Sequence, residues 1–261
     1  YIKVCFLWYN LDGDNMNNNE KILRLNEMIK ESNSIVFFGG AGVSTESGIP
    51  DFRSKDGLYN MKYKYPPERI LSHAFFINNT EEFFKFYKDK LNSLKYMPNI
   101  THYTLAKLEE KGKLKSIITQ NIDGLHQKAG SKHVLELHGS VLRNFCTKCN
   151  TFYSAEYVFN YNGNIPKCKC GGIIKPDVVL YEEPLDENIY SQAIKDISSC
   201  DMLIIGGTSL VVYPASYLIQ YFKGKYIVLI NKEKTPFDSR ATLVINDSIG
   251  NVFKSIKIED N

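Results

Sequence analysis

Two close cysteine pairs, Cys146-Thr-Lys-Cys149 and Cys168-Lys-Cys170-Gly-Gly, have the spacing in this chain that most directly implies chemistry. Tetrahedral zinc takes four thiolates at about 2.3 Å, and cysteine pairs on tight turns supply them. Gly171 and Gly172 let the backbone fold around a metal, although the second pair is C-x-C in place of the commoner C-x-x-C. Two unrelated pairs or a redox disulfide are the alternatives. Four cysteine ligands leave no open coordination position, so a metal held here is structural. Cys5 and Cys200 stand apart and read as small apolar side chains.

A second set of reactive groups closes five short apolar runs. Ile35-Val36-Phe37-Phe38 leads into Gly39-Gly40-Ala41-Gly42-Val43-Ser44, and Ser116-Ile117-Ile118-Thr119 into Gln120-Asn121-Ile122-Asp123. Val134-Leu135-Glu136-Leu137 ends at His138-Gly139. Met202-Leu203-Ile204-Ile205 ends at Gly206-Gly207-Thr208-Ser209, and Tyr226-Ile227-Val228-Leu229-Ile230 at Asn231. Continuous apolar runs separated by room for helices read as an α/β fold with a Rossmann-like parallel sheet and helices on both faces. Ligands of such sheets bind beyond the carboxyl ends of the strands, where the strand order reverses, so the five clusters describe one site. Gly40-Ala-Gly42 is expected to open a helix and turn backbone N–H groups toward a pyrophosphate. Thr45 stands where the G-x-G-x-x-G fingerprint has its third glycine, so this is not the ordinary dehydrogenase loop. Asn231 is either a ribose ligand or a simple turn residue.

The elements between follow from periodicity. Residues 21–31 have helical apolar spacing. Thr80 reads as an N-cap with Glu81 and Glu82 in the first turn, Pro98 as the break of that helix, and residues 100–110 as another helix. Residues 143–175 carry four cysteines and no long apolar run, which marks an insert.

With 261 residues, the chain can bury one large domain plus a small insert. A net charge of +3 and the lack of a basic stripe interleaved with aromatics argue against nucleic acid. The apolar residues 1–9 are too short for a membrane span and lack the marks of a signal peptide. Six cysteines without such a signal point to a reducing compartment, the cytoplasm by default. Residues 1–19 read as an N-terminal extension, with Met16 a natural start, and 20–261 as the folded domain.

Three long motifs carry a resemblance: Gly40-Ala-Gly-Val-Ser-Thr-Glu-Ser-Gly-Ile-Pro-Asp-Phe-Arg-Ser54, Thr119-Gln-Asn-Ile-Asp-Gly-Leu-His126 and Leu137-His-Gly139. Together with the four cysteines, Lys175-Pro-Asp-Val-Val179, Gly207-Thr-Ser209 and Ile230-Asn231, they resemble the sirtuins, NAD-dependent protein lysine deacylases, over residues 20–256. The Asn/Lys/Tyr-rich composition resembles a bacterial member. The resemblance implies a Rossmann-like large domain, a small zinc domain at about 143–175 and a helical cofactor-loop insert at about 53–113. It implies NAD as cofactor, structural zinc on Cys146, Cys149, Cys168 and Cys170, and acyl-lysine proteins or peptides as partners, with no membrane or nucleic acid.

Carried onto this sequence, the family's pattern makes His138 the general base, taking a proton relayed from the ribose hydroxyls, with Asn121 and Asp123 completing the catalytic set. Ala41, Gly42, Ser44, Thr45, Asp51, Phe52, Arg53, Gln120, Ile122, Gly207, Thr208, Ser209, Asn231, Lys232 and Ile249 would join Asn121 and Asp123 around NAD. Val178, Val179, Leu180 and Tyr181 would pair with the substrate backbone by strand addition. His102 and His126 would pack, and His73 and His133 would lie at the surface. Two departures stand out: Tyr181-Glu182-Glu183 replaces the usual Phe-Gly-Glu, and Tyr87-Lys-Asp-Lys90 stands where succinyl-removing members carry Tyr-x-x-Arg. Lysine keeps the charge but not the bidentate fork, so deacetylation should outrun desuccinylation. ADP-ribosyl transfer, a non-catalytic NAD- or zinc-dependent binding module and a dehydrogenase are the other readings.

Overall fold

The computed structural model describes residues 16–51, 57 and 63–258. Its strands are β1 (Ile35–Gly39), β2 (Leu114–Thr119), β3 (Val134–Glu136), β4 (Gly139–Cys146), β5 (Phe152–Ser154), β6 (Ile174–Val178), β7 (Met202–Gly206), β8 (Tyr226–Ile230) and β9 (Leu243–Ile245). The helices are α1 (Asn18–Glu31), α2 (Pro67–Ile70), α3 (His73–Asn78), α4 (Thr80–Lys90), α5 (Ile100–Glu110), α6 (Leu125–Lys128), α7 (Ala155–Phe159), α8 (Glu187–Ser199) and α9 (Ile249–Phe253).

Six strands form one parallel sheet in the order β3-β2-β1-β7-β8-β9, and β5-β4-β6 form a small antiparallel sheet. The five expected strands are all in the large sheet; β9, three residues long, is an addition that the apolar pattern did not mark. The order reverses between β1 and β7, whose terminal Gly39 and Gly206 are paired. That is where a doubly wound sheet opens a crevice.

Every residue of β1 and β7 is buried. Alternate side chains supply two cores, because successive Cβ atoms of a strand point to opposite faces. Ile35, Phe37 and Ile204 meet Leu25, Met28, Leu105 and Phe253 from α1, α5 and α9 on one face. Val36, Phe38, Leu203 and Ile205 meet Ala193 and Ile197 of α8 and Leu218 on the other. A third core joins the small sheet (Val141, Ile174, Val178) to Phe75, Phe76, Phe83, Phe84 and Tyr87 of α3 and α4. The helical stretch after the glycine loop is therefore divided: α2–α4 pack on the small sheet, whereas α5 packs on the large one.

Local chemistry sets the helix ends. Asn17 caps α1 in a reciprocal box with Glu20. Thr80 is not an N-cap, since Asn79 takes that position and the Thr80 hydroxyl donates back to the Phe76 carbonyl at 2.8 Å. α4 also stops at Lys90, well before Pro98. At α5, the Asn99 side chain accepts from Thr101 N–H, and His102 Nδ1 accepts from Asn99 N–H at 3.2 Å.

His102 and His126 are buried side by side, their ring centroids 4.8 Å apart and their planes tilted by 55°. Burial pushes His102 down to about 4 and His126 down to about 3, the latter with a contribution from His102. The unfolded chain takes these protons near the ordinary histidine pKa of about 6.5. Stability is thus complete above about 6.5 and is lost as pH falls toward 4 and 3, by up to ~1.4 kcal/mol per pH unit for each ring. Urea unfolding at pH 7.5, 6.5, 5.5 and 5.0 should show this acid limb, and His126→Phe should flatten it. An unchanged limb in that variant would refute the assignment.

Candidate functional site

The helix expected after β1 is two short 3-10 turns, Ala41–Val43 and Thr45–Ser47. The Gly42 N–H donates to the Gly207 carbonyl at 2.8 Å and the Gly40 N–H to that of Gly206 at 3.3 Å. A Cβ on Gly42 would lie 2.7 Å from Gly207 Cα, and one on Gly40 2.8 Å from Thr208 Cβ. These glycines therefore let the loops after β1 and β7 meet backbone to backbone, and the Gly42 N–H is committed to that contact. Asn99, which periodicity did not single out, holds the turns from α5: its Nδ2 donates to the Val43 carbonyl at 2.8 Å and to Ser47 Oγ at 3.0 Å.

Beyond β2, Asp123 sits at the centre of a buried network. Ser44 Oγ donates to its Oδ2 at 2.6 Å, Leu125 N–H to its Oδ1 at 2.9 Å, and Asn121 Nδ2 to Ser44 Oγ at 3.1 Å. Asp123 thus takes up the first N–H of α6, whose N-cap is Gly124, and also fixes the serine of the glycine loop. Burial raises its pKa above the usual carboxylate value; the Ser44 and Leu125 bonds oppose this and nearby Glu136 adds to it. Gln120 bridges two other clusters, because its Nε2 donates to Thr208 Oγ1 at 3.1 Å and its carbonyl lies 2.9 Å from His138 Nδ1. A carbonyl only accepts, so the His138 Nδ1 carries hydrogen and the neutral ring keeps its lone pair on Nε2. Burial lowers the His138 pKa, partly offset by the bond to Gln120.

His138 also belongs to the small sheet through its backbone, whose carbonyl accepts the Val179 N–H at 3.0 Å. Gly139, at φ +72°, makes the crossing possible, since a Cβ there would overlap the Asp177 carbonyl. Arg143 of β4 adds a clamp: Nη1 to Glu136 of β3 at 2.6 Å and Nε to Asp177 of β6 at 2.7 Å.

The other expected cofactor residues line the same edge or its rim. Thr208 is buried, Ser209 and Lys232 are exposed, and Ala41, Thr45 and Asp51 are half-buried. Ile249 is buried over Gly206, and Ile122 takes part in the third core while its carbonyl accepts the Val141 N–H at 2.9 Å. Asn231 closes its own turn, Nδ2 donating to the Glu233 carbonyl at 2.9 Å. Phe52 and Arg53 lie outside the described residues.

The expected substrate edge at residues 178–181 differs from an open strand. The Val178 carbonyl accepts from Lys175 Nζ, Leu180 N–H donates to Glu183 Oε2, and the Leu180 carbonyl accepts from Glu183 N–H. Tyr181 pairs through both its backbone groups with Leu71 and His73. The Val179 carbonyl accepts no bond from the described residues. Glu182 occupies the left-handed region at φ +76°, the conformation that a glycine would adopt freely, and its Oε2 accepts the Ala74 N–H at 2.9 Å. Glu183 pairs with His73 Nδ1 at 2.8 Å and Lys175 Nζ at 3.0 Å. These bonds pin the segment to α3, and only Tyr181-Glu182-Glu183 marked the place in the sequence.

Tyr87 is 1% exposed and stacks on Phe159 with centroids 5.3 Å apart. Lys90 pairs with its neighbour Asp89 at 2.9 Å. The four cysteines cluster with all Sγ atoms within 4.8 Å of one another, and three pairs are 3.4–3.5 Å apart. A tetrahedron with bonds of about 2.3 Å puts its sulfurs about 3.8 Å apart, so the donor set fits zinc.

The family model described as Sir2 family matches residues 40–214. An NAD-dependent protein deacetylase of Clostridium perfringens is 64% identical over 241 residues, covering 91% of this chain and 98% of its own length. One of Clostridium acetobutylicum is 60% identical over 240 residues, with 91% and 98% covered. Among solved structures, a Sir2 protein with a deacetylated p53 peptide and 3'-O-acetyl ADP-ribose has a TM-score of 0.83 at 38% identity, covering 90% of this chain and 96% of that one. A second, bound to a propionylated peptide, has a TM-score of 0.80 at 38% identity over 90% and 96%.

The cysteine cluster should hold about one zinc per chain by elemental analysis. Cys149→Ser should lose most of that metal and unfold at a lower temperature, because metal binding and folding of the small sheet are one equilibrium. Full zinc occupancy in the variant would exclude this ligand set.

Proposed function

The chain belongs to the Sir2 family, and from that premise we propose that it is an NAD-dependent protein lysine deacetylase with His138 as its base. The products are nicotinamide, O-acyl-ADP-ribose and the free lysine. The observation that carries the reading is the Nδ1 bond from His138 to the Gln120 carbonyl. It fixes the tautomer with Nε2 as proton acceptor, and burial keeps the ring neutral at pH 7.

NAD, when bound, supplies a ribose carbon from which nicotinamide departs and an ADP-ribose that carries the acyl group away. Asn121, Asp123 and Gln120 hold the nicotinamide ribose and carboxamide side, with Ile122 behind them. Ala41, Gly42, Ser44, Thr45, Asp51, Phe52 and Arg53 serve the phosphates and the loop over them. Gly207, Thr208 and Ser209 meet the adenosine half, with Asn231 and Lys232 at its ribose and Ile249 at the adenine. The network of Ser44, Asn121 and Asp123 supports these roles, because donors and acceptors held rigid before binding lose little freedom when a ligand arrives. The acyl-lysine peptide lies against Val178, Leu180 and Tyr181 and donates a backbone N–H to the Val179 carbonyl. Zinc on the four cysteines is structural. We also assign the enzyme to the cytoplasm, since cysteines clustered to hold a metal suit a reducing compartment better than an oxidising one. No helix among the described residues is long and apolar enough to cross a membrane.

Incubation with NAD and an acetyl-lysine peptide should release nicotinamide in step with deacetylation. His138→Ala should lower kcat by about 10²–10⁴-fold while still binding NAD. Wild-type activity should fall only as pH drops below the ordinary histidine range. Nicotinamide release with ADP-ribose left on protein would instead establish a transferase.

Acyl choice follows from α4. The Tyr87 side chain is enclosed, and Lys90, which lacks the bidentate fork of an arginine, already pairs with Asp89. Acetyl-lysine should turn over at least ~10-fold faster than the matched succinyl-lysine peptide. The reverse order would overturn the reading of α4.

A further inference from the structure

Glu46 stands between Thr45 and Ser47 in the second 3-10 turn after β1, and no role above uses it. Its Oε1 accepts the Gly250 N–H of α9 at 3.0 Å, a contact between residues 204 positions apart. Residue 250 can receive the carboxylate only because it has no side chain: a Cβ there would overlap the Glu46 oxygens. The residue before it, Ile249, is buried against the end of β7, where a Cβ on Gly206 would overlap its Cδ1. One carboxylate therefore joins the turn beside Ser44 and Thr45 to the helix that carries Ile249. Without it, the turns are still held by Asn99, by the loop after β7 and by Val43, which shares a core with Ile249 and Val252, but their polar bond to α9 is gone.

We infer that Glu46 is a positioning residue for the dinucleotide: its bond to Gly250 sets the spacing between the phosphate wall and the adenine wall of the crevice. The inference rests on the proposed use of NAD at this edge. The bond has a second consequence. It gives a negative side chain a fixed partner away from the phosphates it would otherwise repel. Glu46 does not touch the reacting atoms, so its loss acts on NAD binding and leaves the chemical step intact.

The test is a cycle on the full chain, with NAD affinity read by isothermal titration without peptide. Glu46→Ala should weaken NAD about fivefold, while Glu46→Gln, which keeps an acceptor for the Gly250 N–H, stays within about twofold of wild type. Gly250→Ala should be worse, about twentyfold, because it evicts the carboxylate and leaves its charge unpaired near the phosphates. Alanine favours a helix, so that loss cannot come from a weakened α9. Glu46→Ala combined with Gly250→Ala should return to the fivefold level, a rescue that a merely structural defect at residue 250 would not show. In turnover, KM for NAD should move with these affinities while kcat and the peptide KM stay put. Wild-type NAD affinity in Glu46→Ala, or a Gly250→Ala defect that persists in the double variant, would overturn the inference. NAD affinities that follow the cycle in a protein that deacetylates no peptide would support this role for Glu46 and overturn only the assigned reaction.

Discussion

Gly42 and Gly207 lie backbone against backbone where the strand order of the large sheet reverses, and the site is assembled outward from that contact. Neither residue can accept a Cβ, and Gly207 adopts a φ of +60° that other residues rarely take. From this fixed point the loop after β1 presents Ser44 to Asp123, and the loop after β7 presents Thr208 to Gln120. Gln120 in turn orients His138. The His138 ring is thus tied to the glycine contact by two hydrogen bonds and a short run of chain. A methyl group at position 42 would disturb the imidazole without touching it.

His138 has two allegiances. Its ring is fixed by the large sheet through Gln120, and its carbonyl pairs with Val179 beside the small one. The next residue begins β4, and Cys146 ends it. His138 and the cysteine cluster therefore lie near opposite ends of one strand about 23 Å long, at roughly 3.3 Å per step. A metal held by four thiolates there would be structural and would anchor the far end of the strand whose near end carries the histidine. The Arg143 bonds to Glu136 and Asp177 hold the junction between the two sheets.

What could be read in the sequence follows the strength of each physical signal. The five strand runs were legible because strands buried on both faces must be continuously apolar. β9 was not, since Leu243-Val-Ile245 is too short to show a period. The zinc ligands were legible from spacing, and the NAD chemistry from likeness to the sirtuins, not from physics. Thr80 was misread because a hydroxyl that caps one helix also serves as a back-bonding group one turn inside another. The meeting of Gly42 with the loop after β7 left no local mark in the sequence, since it joins two distant stretches of chain. The pinning of residues 180–183 to α3 was invisible, because His73 and Glu183 are 110 residues apart and each reads as an ordinary surface group. Tyr181-Glu182-Glu183 marked the spot without disclosing the left-handed turn that Glu182 would take.

The central pair of the large sheet has a consequence for how the chain is made. β1 is entirely buried, flanked by β2 and by β7, and its register matches Ile35 to Met202. During synthesis from the N-terminus, one side of β1 stays unpaired until the ribosome has delivered the cysteine-bearing sheet and the residues beyond it. Contacts of such long sequence separation close slowly, and an apolar strand edge left open is a site for mispairing. The zinc sheet can form within this interval, since β4, β5 and β6 and all four cysteines lie between β3 and β7. Metal supply and translation speed thus bear on whether a nascent chain reaches its native form or joins another copy.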